Sequence, residues 1–567
     1  EGEGQEGLVS NTSYFSFDDD GPTLTVSVDI SPEEQAALFV NVDETDGDER
    51  LAVGELDTDG NTDDEGLGLG QVTTNVTGGL TSLFAAPGGS YGADGAGTTK
   101  GVLSFVGFPP EGGLATNLFS MAGGAITLFL VEGVIVGRDA NGGDPVFTIA
   151  IVGEQLQTTL FEALEHPNNG TFDEAVQLQL LTDGAVQLQY TVTREDADGD
   201  SITQSATVDL ISHTTVEGEG QEGLVSNTSY FSFDDDGPRA AVADAVLDTL
   251  VLDETRKVGT EQDGNSDPAG KASVSADFAE NFVTSIDYGT DGPGDVTYAL
   301  ALKVDGIGSG LFALQSGDKL GEGGDGDGYG QGAEILLYQV GDVITGSVGG
   351  VDYFTISVDS NTGVVTFTQL GSPVNNIWHA ATGSDDDSST LTLENATDLQ
   401  IVQTVTDADG DSSEAAVALG AGVFSIEDDG PRASIFLNPL LSKVVHDETA
   451  GLQQIPVFSA LVNSDGNDVP GVAVFGSVAN AGTDLSGFAT STLPVVLTLL
   501  SDAGEDNEGA TKVVSLELTG SADSGLTTTN GQSISLSLEG DLVVGRVVGA
   551  GADTGKAAFA VSIDANG

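Results

Sequence analysis

Apolar and polar residues alternate with a period of two along several segments of the chain. Such alternation is typical of strands that bury one face and leave the other in water. The clearest runs place apolar side chains at Val186, Leu188 and Tyr190, at Tyr298, Leu300 and Leu302, and at Ile534, Leu536 and Leu538. The pattern predicts an all-β fold of antiparallel strands with very little helix.

One segment carries a helix start signal. Ser31 is a good N-cap, Pro32 suits the first turn, and Glu34 stands at the capping-box position. We expect a single short helix there.

Internal repetition predicts the domain organisation. The segment EGEGQEGLVSNTSYFSFDDDGP, residues 1–22, recurs at 217–238, and a looser copy, VFSIEDDGP, spans 423–431. Further markers keep the same order between these copies: an Asp-Glu-Thr trio, a Val/Ile-rich strand that ends in Gly (VIVGR, VITGS, VVGR), and the turns DADGD. A shared order of several markers indicates repeated domains and not a chance duplication of one peptide.

The repeats divide the chain as follows. Residues 1–22 are the tail of a preceding repeat or a linker, and the units are repeat 1 (23–238), repeat 2 (239–431) and repeat 3 (432–567), the last expected to be incomplete. A unit is about twice the size of an immunoglobulin-like sandwich, so it holds either one enlarged sandwich or two linked ones. We expect tandem Ig-like β-sandwich domains in an elongated array.

The excess of acidic residues excludes nucleic acid as a partner and requires cations. Ninety Asp and Glu residues face fifteen Lys and Arg residues, for a net charge of -75, which excludes nucleic acid. Carboxylates at this density repel one another in a compact state, so folding needs screening or bound cations. Disorder is the alternative for so acidic a chain, but 39% of the residues are hydrophobic and occur in patterned runs.

The sequence predicts no disulfide, no thiolate metal site and no membrane-spanning segment. The chain has no cysteine, so neither disulfides nor thiolate metal sites are available, and calcium is the expected substitute. No run of about twenty apolar residues exists that would insert this segment into a bilayer.

The DADGD turns are the first candidates for calcium ligands. Calcium takes six to eight oxygen ligands, and closely spaced Asp residues separated by Gly can surround it. An ordinary Asp-Gly hairpin turn is the alternative. The candidate residues are Asp196, Asp198 and Asp200, and Asp407, Asp409 and Asp411.

Two further acidic motifs lie near the unit boundaries. One precedes a stiff Gly-Pro corner, where a cation would lock one domain against the next, although a solvated acidic linker has the same composition. Its residues are Asp18, Asp19 and Asp20, Asp234, Asp235 and Asp236, and Glu427, Asp428 and Asp429. The Asp-Glu-Thr motif supplies Asp43 and Glu44, Asp253 and Glu254, and Asp447 and Glu448 as further candidates.

No pattern of a catalytic site stands out. Residues 88–92 match G-x-S-x-G, but they lie in a Gly-rich stretch without the strand-turn-helix context of a nucleophile. The four histidines are scattered and lack metal-ligand spacing, and His379 next to Trp378 is interpreted as a packed strand end. We do not expect an enzyme.

The motifs FSFDDDGP and VTDADGD, with the SGL…G…I-L…G…V-G-R string, resemble the large repeated extender-type domains of RTX (repeats-in-toxin) adhesins. The resemblance covers nearly the whole chain in three passes, although the nonapeptide that names RTX proteins is not repeated here. It implies type I secretion to the bacterial cell surface, calcium-rigidified repeats, cell adhesion and biofilm formation.

The expected function is therefore a calcium-rigidified structural region of a giant extracellular adhesin, whose partners are neighbouring repeats of the same chain. Two alternatives stay open. One is a calcium-dependent module that binds surface glycans or peptides, with its site in the irregular segments 88–113 or 321–332. The other is a protein that self-assembles into a surface layer or fibre through exposed strand edges.

Overall fold

The computed structural model of the chain describes residues 15–45, 68–139, 143–167, 175–216, 227–254, 272–316, 329–370, 376–380, 387–438, 444, 446, 473–481, 487–491, 493–501, 503–504, 510–564 and 567. The structural statements below concern these residues. Among them, no helix has the length and apolar composition that a membrane crossing requires.

Repeat 1 is built from antiparallel sheets closed by one parallel strand pair. Its strands are β1 (Val40–Asp43), β2 (Gly70–Thr73), β3 (Ala96–Val106), β4 (Leu114–Phe119), β5 (Ala125–Val131), β6 (Val134–Arg138), β7 (Phe147–Val152), β8 (Gln155–Leu160), β9 (Ala175–Gln177), β10 (Ala185–Asp196), β11 (Ser201–Val216), β12 (Asn227–Ser229) and β13 (Phe231–Asp234). The sheet orders are β2-β8-β7-β6-β5-β4, β12-β11-β10-β3 and β1-β13-β9. The pair β1 and β13 is parallel.

Repeat 2 has the same topology, except that its described residues include no counterpart of β12. Its strands are β14 (Leu250–Asp253), β15 (Ser273–Asp277), β16 (Pro293–Leu302), β17 (Ile307–Ser316), β18 (Tyr329–Val340), β19 (Val343–Val348), β20 (Val351–Val358), β21 (Val364–Gln369), β22 (Ser388–Thr392), β23 (Leu399–Asp407), β24 (Ser412–Ala418) and β25 (Ala421–Glu427). The sheet orders are β15-β21-β20-β19-β18-β17, β16-β23-β24 and β14-β25-β22, and β14 pairs in parallel with β25.

Repeat 3 repeats part of this plan. Its described strands are β26 (Phe436–Leu437), β27 (Val496–Leu497), β28 (Asp523–Thr527), β29 (Ser533–Glu539), β30 (Leu542–Val547) and β31 (Ala557–Val561). Strands β28 to β31 form an antiparallel sheet in chain order, as β17 to β20 do in repeat 2, and β26 pairs with β27.

Helical structure is confined to short segments. The helix α1 (Pro32–Ala36) begins with the expected capping box, because Ser31 Oγ accepts a hydrogen bond from the Glu34 amide and the Glu34 carboxylate accepts one from the Ser31 amide. The 3₁₀ segments are Leu80–Leu83, Ala279–Asn281, Ala396–Asp398 and Ala473–Ser477. The prediction of one short helix after Ser31 is therefore confirmed.

Each of the first two repeats encloses its own hydrophobic core. The core members of repeat 1 run from Ile30 to Phe233, and those of repeat 2 run from Leu250 to Ile426. The Gly of the VIVGR-type strand contributes to the packing in all three repeats, because a side chain there would overlap an aromatic ring on the neighbouring strand. The pairs are Gly137 and Phe147, Gly346 and Phe354, and Gly545 and Phe559.

The all-β, tandem-repeat prediction is confirmed, while Ig-like sandwiches and an elongated array stay predictions. The irregular segment expected at 88–113 is wrong over Ala96–Val106, which forms β3 and pairs with β10. Its glycines resemble a loop in sequence, but Gly101 is required in the strand because a Cβ would overlap the Tyr190 ring. In the segment 321–332, residues before Tyr329 lie outside the described residues.

Candidate metal centre at the junction of repeats 1 and 2

The parallel strand pair brings two acidic motifs to one end of each repeat. Because β1 and β13 run in the same direction in register, Asp43 ends opposite Asp234. The next residue, Glu44, donates its amide hydrogen to the Asp234 carbonyl oxygen at 3.2 Å, and Glu254 makes the equivalent bond to Glu427 at 3.0 Å. The Asp-Glu-Thr motif therefore lies beside the acidic Gly-Pro corner.

The DADGD turns are tight hairpins held by their first aspartate. Asp407 Oδ1 accepts the amides of Gly410 at 3.0 Å and Asp411 at 2.8 Å, and Asp196 Oδ1 accepts the corresponding amides in repeat 1 at 3.1 and 2.8 Å. Gly410 has a φ of 114°, a backbone conformation that residues with a Cβ atom rarely adopt. The turn leaves the second oxygen of each first aspartate, Oδ2, buried and without a hydrogen bond.

The third aspartate of the Gly-Pro corner holds a turn of the following repeat. Asp236 Oδ2 accepts the Thr290 amide at 2.6 Å, as Asp20 Oδ2 accepts the Ala93 amide at 2.9 Å. Thr290 Oγ1 also lies 2.7 Å from the Glu44 carbonyl oxygen, a contact between repeat 1 and repeat 2. The next residue, Asp291, is thereby placed at the junction.

We define the junction cluster as Glu44, His166 and Asp235 of repeat 1 with Asp291, Asp407, Asp409 and Asp411 of repeat 2. Ligand atoms of Asp291, Asp407 and Asp409 lie within 4.8 Å of one another, and so do those of His166, Asp235 and Asp409. The Asp411 carboxylate lies against that of Asp235. Both repeats therefore contribute acidic groups to one buried site.

Burial and mutual repulsion oppose ionisation of these carboxyls. Burial, together with the charges of Asp235 and Asp409, raises the pKa of Asp291 to about 9. Burial and the adjacent carboxyls raise the pKa values of Asp407 and Asp411 to about 8. The pKa of Glu44 is also raised well above its usual value by burial and by Asp291, although its carboxylate accepts the Leu164 amide at 3.0 Å.

The oxygen atoms of the cluster fit a hard divalent cation. Asp291 is 6% exposed, and neither oxygen of its carboxylate has a hydrogen-bond partner. Asp411 is 1% exposed, and its carboxylate faces that of Asp235. Unpaired buried carboxylates are strongly destabilising, and a bound dication offsets both their desolvation and their repulsion. Calcium accepts six to eight oxygens in irregular geometry, whereas magnesium demands a near-ideal octahedron.

Repeat 1 presents the same downstream half of the site at its own start. Asp19, Asp94 and Asp198 form one close group, and Asp196, Asp198 and Asp200 form another. Asp19 and Asp200 correspond to Asp235 and Asp411 and make the same contact, which raises the pKa of Asp200. Apart from Asp196, these residues are exposed.

Repeat 2 presents the upstream half at its end. Glu254, His379 and Asp428 have ligand atoms within 4.8 Å of one another. Burial raises the pKa of Asp428 to about 6, against the lowering effect of His379. Gly504 of repeat 3 lies against the Asp429 carboxylate, as Gly289 lies against Asp236 at the preceding junction.

The structure brings together the DADGD residues but only part of each of the other two predicted acidic sets. The DADGD residues, the middle aspartates of the Gly-Pro corners and Glu44 and Glu254 line the clusters. Asp43 Oδ1 instead accepts the Thr45 amide at 2.6 Å, and Asp253, Asp234 and Glu427 end paired strands. Asp18 is exposed, and the predicted Asp447 and Glu448 lie outside the described residues.

Sequence reasoning missed four residues of these sites: Asp94, Asp291, His166 and His379. A signal for each was present in the repeats. Tyr-Gly-Ala-Asp-Gly at 91–95 matches Tyr-Gly-Thr-Asp-Gly at 288–292, and both histidines follow their Asp-Glu-Thr motif at nearly the same interval. The sequence showed the histidines only as scattered along the chain, whereas the sheet fold places His166 and His379 each beside two carboxylates.

Comparison with known proteins gives a family and no characterised relative. No curated protein and no solved structure matches the chain. One family model, described as a domain of unknown function, matches residues 39–210, 249–420 and 443–567, which together are most of the sequence. The three passes coincide in order with the three repeats. The chain therefore belongs to the family DUF5801, of which it carries three tandem copies.

Proposed function

We propose that this chain is a structural region whose repeats are locked to one another by calcium ions. The observation that carries the proposal is the junction cluster, because its acidic groups come from both sides of one repeat boundary. An ion bound there holds repeat 1 to repeat 2 only while both sets of carboxylates surround it. The same half-sites at the start of repeat 1 and the end of repeat 2 extend the principle along a tandem array.

Binding of this kind supplies enough free energy to matter. Extracellular calcium modules bind with dissociation constants of roughly 10⁻⁴ to 10⁻³ M. At about tenfold excess over the dissociation constant, one site adds about 1.4 kcal/mol to the stability of the folded state. Two or three such sites per repeat add about 3–4 kcal/mol, which is a large share of the stability of an ordinary domain.

We further propose that the region belongs to a secreted adhesin of the bacterial cell surface, where it holds binding modules away from the cell. Four features support this role: tandem repetition, a net charge of -75, no cysteine, and motifs that resemble RTX adhesin repeats. Calcium dependence suits such a protein, because the chain stays soft in a low-calcium cytoplasm and becomes stiff outside. On this proposal its role is mechanical and not catalytic.

The test is to measure melting temperature and particle length of the whole chain in calcium, in magnesium and in chelator. Differential scanning calorimetry and small-angle X-ray scattering give the two quantities. We expect calcium to raise the melting temperature and to narrow the distribution of lengths, and magnesium at the same concentration to do less. Equal melting temperatures and lengths in calcium and chelator would contradict the proposal.

A pair of variants separates the junction from general screening of charge. Asp409→Asn removes a carboxylate shared by two ligand groups of the junction cluster. Asp342→Asn removes a carboxylate from the exposed turn between β18 and β19 of the same repeat. We expect the first variant to lose calcium-dependent stiffening between repeats 1 and 2, and the second to behave as the natural chain does.

A further inference from the structure

A histidine lies among carboxylates at the same place in each of the first two repeats. In repeat 1, His166 Nδ1 lies 3.1 Å from Asp235 Oδ1. In repeat 2, His379 Nε2 lies 3.3 Å from Glu254 Oε2. The histidines are 3% and 8% exposed, so water does not supply the partner of either ring.

The second nitrogen of each ring is held by a hydrogen bond away from the carboxylates. His166 Nε2 lies 3.3 Å from the Phe233 carbonyl oxygen, and His379 Nδ1 lies 3.0 Å from Ser389 Oγ. Anchoring of the outer nitrogen is the usual arrangement of a histidine that ligates a metal through its inner nitrogen.

The inner nitrogens face carboxylate oxygens. His166 Nδ1 and His379 Nε2 are both buried, and their contacts with Asp235 and Glu254 do not have the geometry of a standard hydrogen bond. A carbonyl oxygen only accepts, so His166 Nε2 carries a hydrogen and, in the neutral ring, Nδ1 directs a lone pair at the Asp235 carboxylate. Two electron-rich atoms at 3.1 Å require a cation between or beside them, and a metal ion or a ring proton meets that need.

We propose that each histidine-carboxylate group binds a transition-metal dication of the zinc class, separate from the calcium ions. The ligands are His166, Asp235 and Asp409 at the first junction, and Glu254, His379 and Asp428 at the end of repeat 2. Imidazole nitrogen suits zinc, copper and nickel, whereas calcium selects oxygen ligands. Zinc takes nitrogen and carboxylate ligands in fourfold coordination, and each group supplies three such atoms within 4.8 Å.

The two groups differ in which repeats supply their ligands. Every ligand of the second group belongs to repeat 2, so all three protein ligands are present without repeat 3. The first group includes Asp409, which also lies in the oxygen-only group with Asp291 and Asp407. The ion at the first junction therefore shares a carboxylate with the calcium site and adds a second link between repeats 1 and 2.

The test is to titrate the whole chain with Zn²⁺ and with Co²⁺ in saturating calcium, which occupies the oxygen-only sites. We expect Co²⁺ to develop visible absorption bands of nitrogen-ligated, four-coordinate metal, and Zn²⁺ to displace it. His166→Asn and His379→Asn should each reduce the bound metal by one ion per chain, and the double variant should lose the bands. His213→Asn is the matched control, since His213 is exposed and contacts the Leu180 carbonyl oxygen instead.

Histidine ¹⁵N chemical shifts distinguish a metal from a proton at the inner nitrogen. Zn²⁺ should change the ¹⁵N chemical shifts of His166 Nδ1 and His379 Nε2 and leave those of the His213 ring unchanged. Zn²⁺-independent spectra typical of imidazolium would overturn the proposal and make these rings fixed counter-charges. Stoichiometry unchanged by the two substitutions would overturn it as well.

The proposed role of calcium is tested independently of the zinc-class site. Calcium-dependent melting of the same variants reports whether each one folds, and Glu254→Gln gives a second route to the repeat 2 site that keeps the histidine. If calcium still raises the melting temperature while Co²⁺ and Zn²⁺ do not bind, the zinc-class site is refuted and the calcium-locked junction stands.

Discussion

Replacing Asp291 by asparagine removes the charge of this residue and keeps its shape. Burial and the neighbouring carboxylates raise the pKa of Asp291 to about 9. At pH 7 the unfolded chain ionises this carboxyl, whereas the folded chain without a cation holds it protonated, which costs on the order of 4 kcal/mol. Asparagine has no charge to suppress, so Asp291→Asn removes that cost.

We expect the substitution to have opposite effects in chelator and in calcium. In chelator it stabilises the chain by about 1–2 kcal/mol, less than the full cost because the other carboxyls share it and the buried amide needs hydrogen bonds. That gain corresponds to a rise of about 2–8 °C in melting temperature for a repeat of this size. In calcium at about tenfold the dissociation constant, the variant loses most of the gain of about 1.4 kcal/mol that one site provides.

Calorimetry of the natural chain, Asp291→Asn and Asp342→Asn in both conditions measures these differences. Asp342 is exposed and outside the junction cluster, so its variant should stay within about 0.5 kcal/mol of the natural chain in each. A variant at Asp291 that is less stable in both conditions and keeps the whole calcium gain would refute the reasoning. Asp291 would then be an ordinary buried polar group and not a ligand.

Two further predictions follow from the same cluster. In chelator, the melting temperature should fall as pH rises from about 4 to about 9, because the raised pKa values of Asp291, Asp407 and Asp411 mean that the folded chain binds more protons than the unfolded chain. Saturating calcium should flatten this fall, and a rise with pH in chelator would speak against it. Gly294→Ala should destabilise repeat 2 by about 1–3 kcal/mol and reduce the stability gained from calcium, because a Cβ at Gly294 overlaps the Asp407 carbonyl oxygen. Gly143→Ala is the control, since there is open space around Gly143. Equal denaturation midpoints for the two variants would count against the prediction.

The parts of the fold that local pattern controls were predictable from the sequence. Alternation at Val186 and Leu188 identified a strand because both side chains enter the core, and Ser31 to Glu34 identified α1 because a capping box is a local interaction. The glycine-rich strand β3 was missed. Gly101 of β3 leaves space for the Tyr190 ring of the neighbouring strand β10, and the sequence of β3 itself does not reveal that contact.

The site was predictable as chemistry and not as a set of ligands. The DADGD turns were found because Asp and Gly spacing is visible along the chain. Asp291 and His166 were not, because parallel pairing of β1 with β13 and the contact between repeats bring distant residues together. The same reasoning included Asp43, which a neighbouring amide occupies instead. Comparison of corresponding positions between repeats would have found Asp291 and His166, as well as Asp94 and His379.

Crystals of the whole chain grown in calcium test the central claim most directly. Anomalous scattering collected from them locates the bound ions. The account predicts an anomalous peak at the junction of repeats 1 and 2, coordinated by carboxylates from both, with Asp291, Asp407 and Asp409 among its ligands. A map without a peak there, in which these carboxyls share protons with one another, would contradict it.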